Sequence, residues 1–141
     1  MLFRTAVLAG AVALLAAAAA PTLDVRFDGR WQAVAGINDG RLNGRSTRTY
    51  HPGDTVNITF DGAGLDVYGI TGPNGGYAAL IFPPKPDLTL DFYSPQKRAH
   101  VLLYSSPGMT REPHVATIVV LRTHDPRSSG TYVNVDEISA R

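Results

Sequence analysis

Apolar residues recur at every second position over most of this chain. Val56, Ile58 and Phe60 alternate with Asn57, Thr59 and Asp61, a period of two that places one side of a strand in a core and the other in solvent. Leu65, Val67 and Gly69 alternate with Asp66 and Tyr68, and Tyr77 to Phe82 continues the rhythm until Pro83-Pro84 ends it. The glycine-rich turns Gly62-Ala63-Gly64 and Thr71–Gly76 join these three segments. Consecutive strands joined this way are expected to pair, with the Leu65–Ile70 strand in the middle. Glycine is expected to supply positive φ at the first of the two turns.

The same rhythm recurs elsewhere. Leu23, Val25 and Phe27 alternate with charged residues, and a second short strand is expected within Trp31–Ile37. Further strands are predicted over 88–93, 100–104, 114–122 and 132–138. The 114–122 run lacks clear alternation, which predicts a central strand covered on both faces. Residues 38–50 have no apolar period and read as a loop, with a hairpin turn at Asn43-Gly44. About eight strands and no helical stripe predict an all-β fold, a two-sheet antiparallel β-sandwich of jelly-roll type.

Residues 1–20 stand apart from this pattern. Arg4 precedes an apolar run of Ala, Val and Leu ending before Pro21, which has the form of a signal peptide. A spanning helix normally needs about 20 strongly apolar residues and this run is shorter, which favours the signal peptide; an uncleaved anchor is the alternative. Cleavage would leave one secreted domain, residues 21–141. Removing Arg4 lowers the basic count from 13 to 12, against 12 acidic residues. A neutral domain is not built for nucleic acid or for a polybasic membrane contact. The chain has no cysteine, which excludes disulfides and thiolate chemistry and leaves stability to packing. A monomer is expected.

The strings Trp31 with Gly53–Gly69, Gly72–Tyr77, His114–Val120 and Tyr132–Ile138 together resemble galactose-binding-domain-like jelly rolls of secreted or membrane-anchored fungal proteins. They span most of residues 24–138. The resemblance implies a carbohydrate-binding-like scaffold. It also implies a structural calcium held by acidic residues of the first and last strands, here Asp24 and Asp136. Calcium needs 6–8 oxygen ligands, so ordinary surface carboxylates are the other reading. Fold alone does not assign function.

Strand parity sorts the loops. Loops 71–76, 94–99 and 123–131 are expected at one end of the sandwich, and 61–64, 83–87 and 105–113 at the other. The first end carries Asn74, Gln96, Lys97, Arg98, His124, Asp125, Arg127 and Ser128, with Tyr77 beside it. An aromatic platform with amide and charged donors is the usual equipment of a sugar site. Asn74, Tyr77, His124 and Arg127 are therefore the expected ligand contacts, against the reading of a solvated loop cluster. Trp31 is either a stacking platform or part of the core. Asn57-Ile58-Thr59 is a glycosylation sequon on an outward strand position. No nucleophile elbow or zinc-protease motif is present, so no catalytic residues are assigned. Three functions follow: a non-catalytic module for a glycan or cell-wall polysaccharide, a structural or adhesive cell-surface domain, and a small jelly-roll hydrolase.

Overall fold

The computed structural model describes residues 19–35 and 45–141. The leader up to residue 18 and the Asn43-Gly44 turn lie outside these residues. Among the described residues there are ten strands and no helix: β1 (Thr22–Asp28), β2 (Gln32–Ala35), β3 (Arg45–Thr49), β4 (Thr55–Gly62), β5 (Leu65–Thr71), β6 (Tyr77–Ile81), β7 (Leu88–Asp91), β8 (Arg98–Ser105), β9 (Glu112–Val120) and β10 (Val133–Ala140). They form two five-stranded sheets. The first has the order β1-β4-β9-β6-β7 and the second β2-β3-β10-β5-β8, every ladder being antiparallel. This is the two-sheet sandwich that the alternation predicts.

Each sheet contributes its alternate residues to the core. Val56, Ile58 and Phe60 of β4 and Ala116, Ile118 and Val120 of β9 meet Leu65 and Val67 of β5 and Val133 and Val135 of β10. Burying such side chains stabilises the fold by about 1.5–3 kcal/mol each, before the entropic cost of ordering them. With no cysteine to form a disulfide, this interior must hold the sheets together.

Three expectations change. First, β4, β5 and β6 do not pair in succession. β5 lies in the second sheet between β10 and β8, while β4 and β6 flank β9 in the first. The two glycine turns therefore cross between layers, which keeps each apolar face on the shared interior. Nor does the first of these turns use positive φ, which among the described glycines occurs at Gly29 and Gly53. Gly62 is small for another reason: a Cβ there would meet the Arg141 carbonyl oxygen at 2.6 Å.

Second, the loop expected over 38–50 contains β3, whose sequence is Arg-Ser-Thr-Arg-Thr. A strand with no apolar residue is held by its ladders to β2 and β10; pairing decides its conformation where periodicity is silent. Third, β9 is central as expected but covered on one face only. Val115 is 61% exposed, and Thr117 and Val119 also lie on the side away from the core.

Candidate functional site

The loop ends assemble as strand parity predicts. Gly72-Pro73-Asn74-Gly75 forms a tight turn closed by the Gly75 amide on the Gly72 carbonyl (3.1 Å), with proline presetting φ at its second position. The 92–94 segment holds one side of it: the Gly72 amide donates to the Phe92 carbonyl (3.0 Å), and the Ser94 amide to that of Gly72 (3.0 Å). The 128–132 segment holds the other. The Ser129 amide donates to Pro73 (2.9 Å), the Tyr132 amide to Asn74 (3.0 Å) and the buried Ser128 hydroxyl to Gly75 (2.6 Å). Glycine is required here by proximity. A Cβ on Gly75 would overlap the Phe92 carbonyl, and one on Gly76 would lie 2.6 Å from Thr131 Cα.

This rigid turn separates two clusters. On the outer side of the first sheet, Tyr77 opens β6 opposite Asp91. Arg127 forms a bidentate pair with Asp125, its Nε and Nη2 donating at 3.0 Å each, while its amide donates to the same carboxylate at 2.9 Å. The guanidinium also stands 5.0 Å from the centre of the Tyr93 ring. The Arg127 hydrogen bonds hold the Asp125 carboxyl down to about 2, and Asp125 in turn raises the guanidinium. Partial burial raises the Tyr77 hydroxyl, with Asp91 and Asp125 adding to it. His124 is exposed, and its Nδ1 donates to the Asp125 carbonyl (2.7 Å).

On the other side of the turn, a pocket of about 210 Å³ opens on the outer face of the second sheet. Its floor comes from the positions that alternate with the core. Val133 and Val135 point inward, so Asn134 points out, opposite Arg48 of β3. Val34, Ile70 and Tyr132 add apolar and aromatic surface, while Thr71–Gly75 and Lys97 form the rim. The Arg48 guanidinium carbon lies 5.2 Å from the centre of the Tyr132 ring. Tyr50, 49% exposed, meets Tyr132 edge-on at 5.2 Å and extends the aromatic surface outward.

Two polar atoms of this pocket stand out: Arg48 Nε and Asn134 Oδ1 are buried and have no hydrogen-bond partner among the described residues. Neither Arg48 nor Lys97 has a carboxylate partner among the described residues. Leaving such a donor or acceptor unmade typically costs about 1–3 kcal/mol, a cost that a ligand with hydroxyl or carboxylate groups would remove.

The five expected contacts are thus distributed. Asn74 lines the pocket. Tyr77 and Arg127 share the opposite cluster, beside His124. Trp31 is half-buried and packs against the core, its ring edge-on to Phe27 at 5.1 Å. Its indole N–H lies 3.1 Å from the carbonyls of both Asp28 and Thr55. Asn57 faces outward but is engaged: its amide donates to Asp28 at 2.7 Å.

Asp24 and Asp136 are not on neighbouring strands, because β1 and β10 belong to opposite sheets. Asp24 is exposed. The side chain of Asp136 is fully buried and accepts from His100 Nδ1 at 3.1 Å. His100 has φ of 51° and stacks on Tyr68 at 4.1 Å, with 2° between the planes. Among the described residues no group of three or more His, Asp or Glu side chains is placed to hold a metal.

No protein-family model and no curated protein matches the chain. Among solved structures it is similar to part of a xanthan lyase from Paenibacillus, with a TM-score of 0.56 and 13% identity, over 81% of this chain and 12% of the lyase. It also aligns with a family two carbohydrate esterase from Cellvibrio japonicus, with a TM-score of 0.47 and 18% identity, over 84% of this chain and 33% of the esterase. The chain thus spans a small fraction of the length of either protein. At such identity the first likeness is one of fold.

Proposed function

We propose that this chain is a non-catalytic carbohydrate-binding module, exported by its apolar leader, with its ligand seated in the pocket on the outer face of the second sheet. The observation that carries this reading is the pair of buried, unpartnered polar atoms, Arg48 Nε and Asn134 Oδ1, beside the Tyr132 ring. A sugar offers what they lack. Its hydroxyls can donate to the asparagine oxygen and accept from the arginine, while its apolar ring face covers tyrosine.

The binding reading is favoured over the hydrolase because no carboxylate lines this pocket among the described residues, whereas glycoside hydrolysis ordinarily uses a pair of them. The fold likeness to a segment of a xanthan lyase, a protein that acts on a polysaccharide, agrees with a module for such polymers. Tyr50, at the margin of the pocket, offers a second ring to a longer chain.

Immobilised plant, fungal and bacterial glycans provide the test. Binding to at least one class, lost on Asn134→Ala and kept on Arg127→Ala, is the expected result. Absence of binding across all three classes would remove the proposal.

A further inference from the structure

The charge around the pocket narrows the class of sugar. Among the described residues two cations, Arg48 and Lys97, line it, and no acidic residue does. The domain as a whole is formally balanced, so this local excess is not a consequence of composition. Contrast Arg127 and Arg141, whose charges are matched by Asp125 and Asp66 at 3.0 Å each. Arg48 is different: its guanidinium rests beside the Tyr132 ring, and its buried Nε–H has no acceptor among the described residues. A planar guanidinium offers donors in a fixed fork that fits an oxyanion, and a flexible lysine on the rim can close on the same group. Asn134 Oδ1, an acceptor, would be satisfied by a neighbouring hydroxyl.

We infer that the pocket takes an anionic saccharide, with the negatively charged substituent of one sugar unit held between Arg48 and Lys97 and a hydroxyl of that unit donating to Asn134. This inference rests on the carbohydrate-binding reading above and adds the charge of the ligand to it. A carboxylate, as in a uronic acid, and a sulfate ester share this chemistry.

Titration calorimetry with the whole protein distinguishes the possibilities. Three sets of oligosaccharides of equal length serve as probes: oligogalacturonates, the same chains after reduction of their carboxyl groups to neutral alcohols, and sulfated oligogalactans. At least one anionic set is expected to bind about tenfold or more tightly than the neutral chains, as charge-assisted hydrogen bonds imply. About 1 M salt should weaken that preference. Whichever anionic set is preferred identifies the substituent. Arg48→Gln and Lys97→Gln should each reduce the preference, with Arg127→Gln as the control that leaves it unchanged. Neutral chains bound as tightly as both anionic sets would overturn this inference and leave the carbohydrate-binding reading standing. No binding by any of the three, with none on the glycan surfaces, would overturn both. A preference that survives in the Arg48→Gln/Lys97→Gln double variant would also overturn the assignment. Circular dichroism of that variant establishes that the fold is intact.

Discussion

The Thr71–Gly76 turn has two sides, and their polar groups are in opposite states. Toward the first sheet, Arg127, Asp125 and His124 satisfy one another or the backbone around them. Toward the second sheet, Arg48 and Asn134 hold buried polar atoms with no partner among the described residues. Both clusters contain an aromatic ring and a guanidinium, so residue inventory alone does not separate them. Satisfaction does. A network whose donors and acceptors are already matched gains little from a ligand, whereas an unmatched buried set carries a standing cost that a ligand relieves. Under the proposed function, the ligand accordingly sits on the side carrying Asn74, and the side carrying Tyr77, His124 and Arg127 serves as scaffold.

The shared turn is the place to break this comparison hardest. Gly75→Ala drives a methyl into the Phe92 carbonyl, and overpacking of this kind typically costs about 1–3 kcal/mol. Near the upper end of that range, the melting temperature should fall by roughly 10 °C. Both clusters should loosen together. A variant that melts with the wild type would show that the turn is softer than its hydrogen bonds suggest.

Next come the paired arginine variants, read by calorimetry against whichever glycan binds. Arg48→Ala should weaken binding roughly tenfold or more, the value of a hydrogen bond to a charged group. Arg127→Ala should leave affinity unchanged. The reverse result would exchange the roles of the two clusters.

The smallest effect is a titration. In Asp125 a carboxyl held down to about 2 by Arg127 contributes stability that is present above its ordinary value of 3.8 and lost as pH falls from there toward 2. Carbon-13 shifts of its carboxyl should report a midpoint near 2 in the wild type and a higher one in Arg127→Ala, where the guanidinium is gone but the backbone amide of residue 127 still donates. An unchanged midpoint would show that the bidentate pair does not persist in solution.

Much of the scaffold is legible in the sequence, because an interior that buries one face of each strand leaves a period of two. β1, β4 and β5 carry it openly. The layer to which each strand belongs leaves no such trace. A turn such as Gly62-Ala63-Gly64 reads the same whether it folds a hairpin or crosses between sheets. β3 leaves none either, since Arg-Ser-Thr-Arg-Thr is polar throughout and its conformation comes from pairing.

The residues of the proposed site were visible in part. Loop parity brings 71–76, 94–99 and 123–131 together, and Asn74 follows from it. Tyr132 and Asn134 were within reach as well, since both alternate with Val133 and Val135 and must face away from the core. Arg48 was not, because nothing in a stretch without periodicity says which way a side chain points. Nor can sequence show whether a polar atom has found a partner, and that distinction separates the two clusters.

Asn134→Leu tests this distinction most directly when thermal stability and glycan affinity are measured on the same preparation. The substitution removes a buried acceptor that has no partner among the described residues and replaces it with an apolar group of similar size. Such exchanges are close to neutral or stabilising, by up to about 1–3 kcal/mol. A melting temperature equal to or above the wild type, together with loss of binding, is the predicted result. A clear fall in melting temperature with binding retained would contradict it.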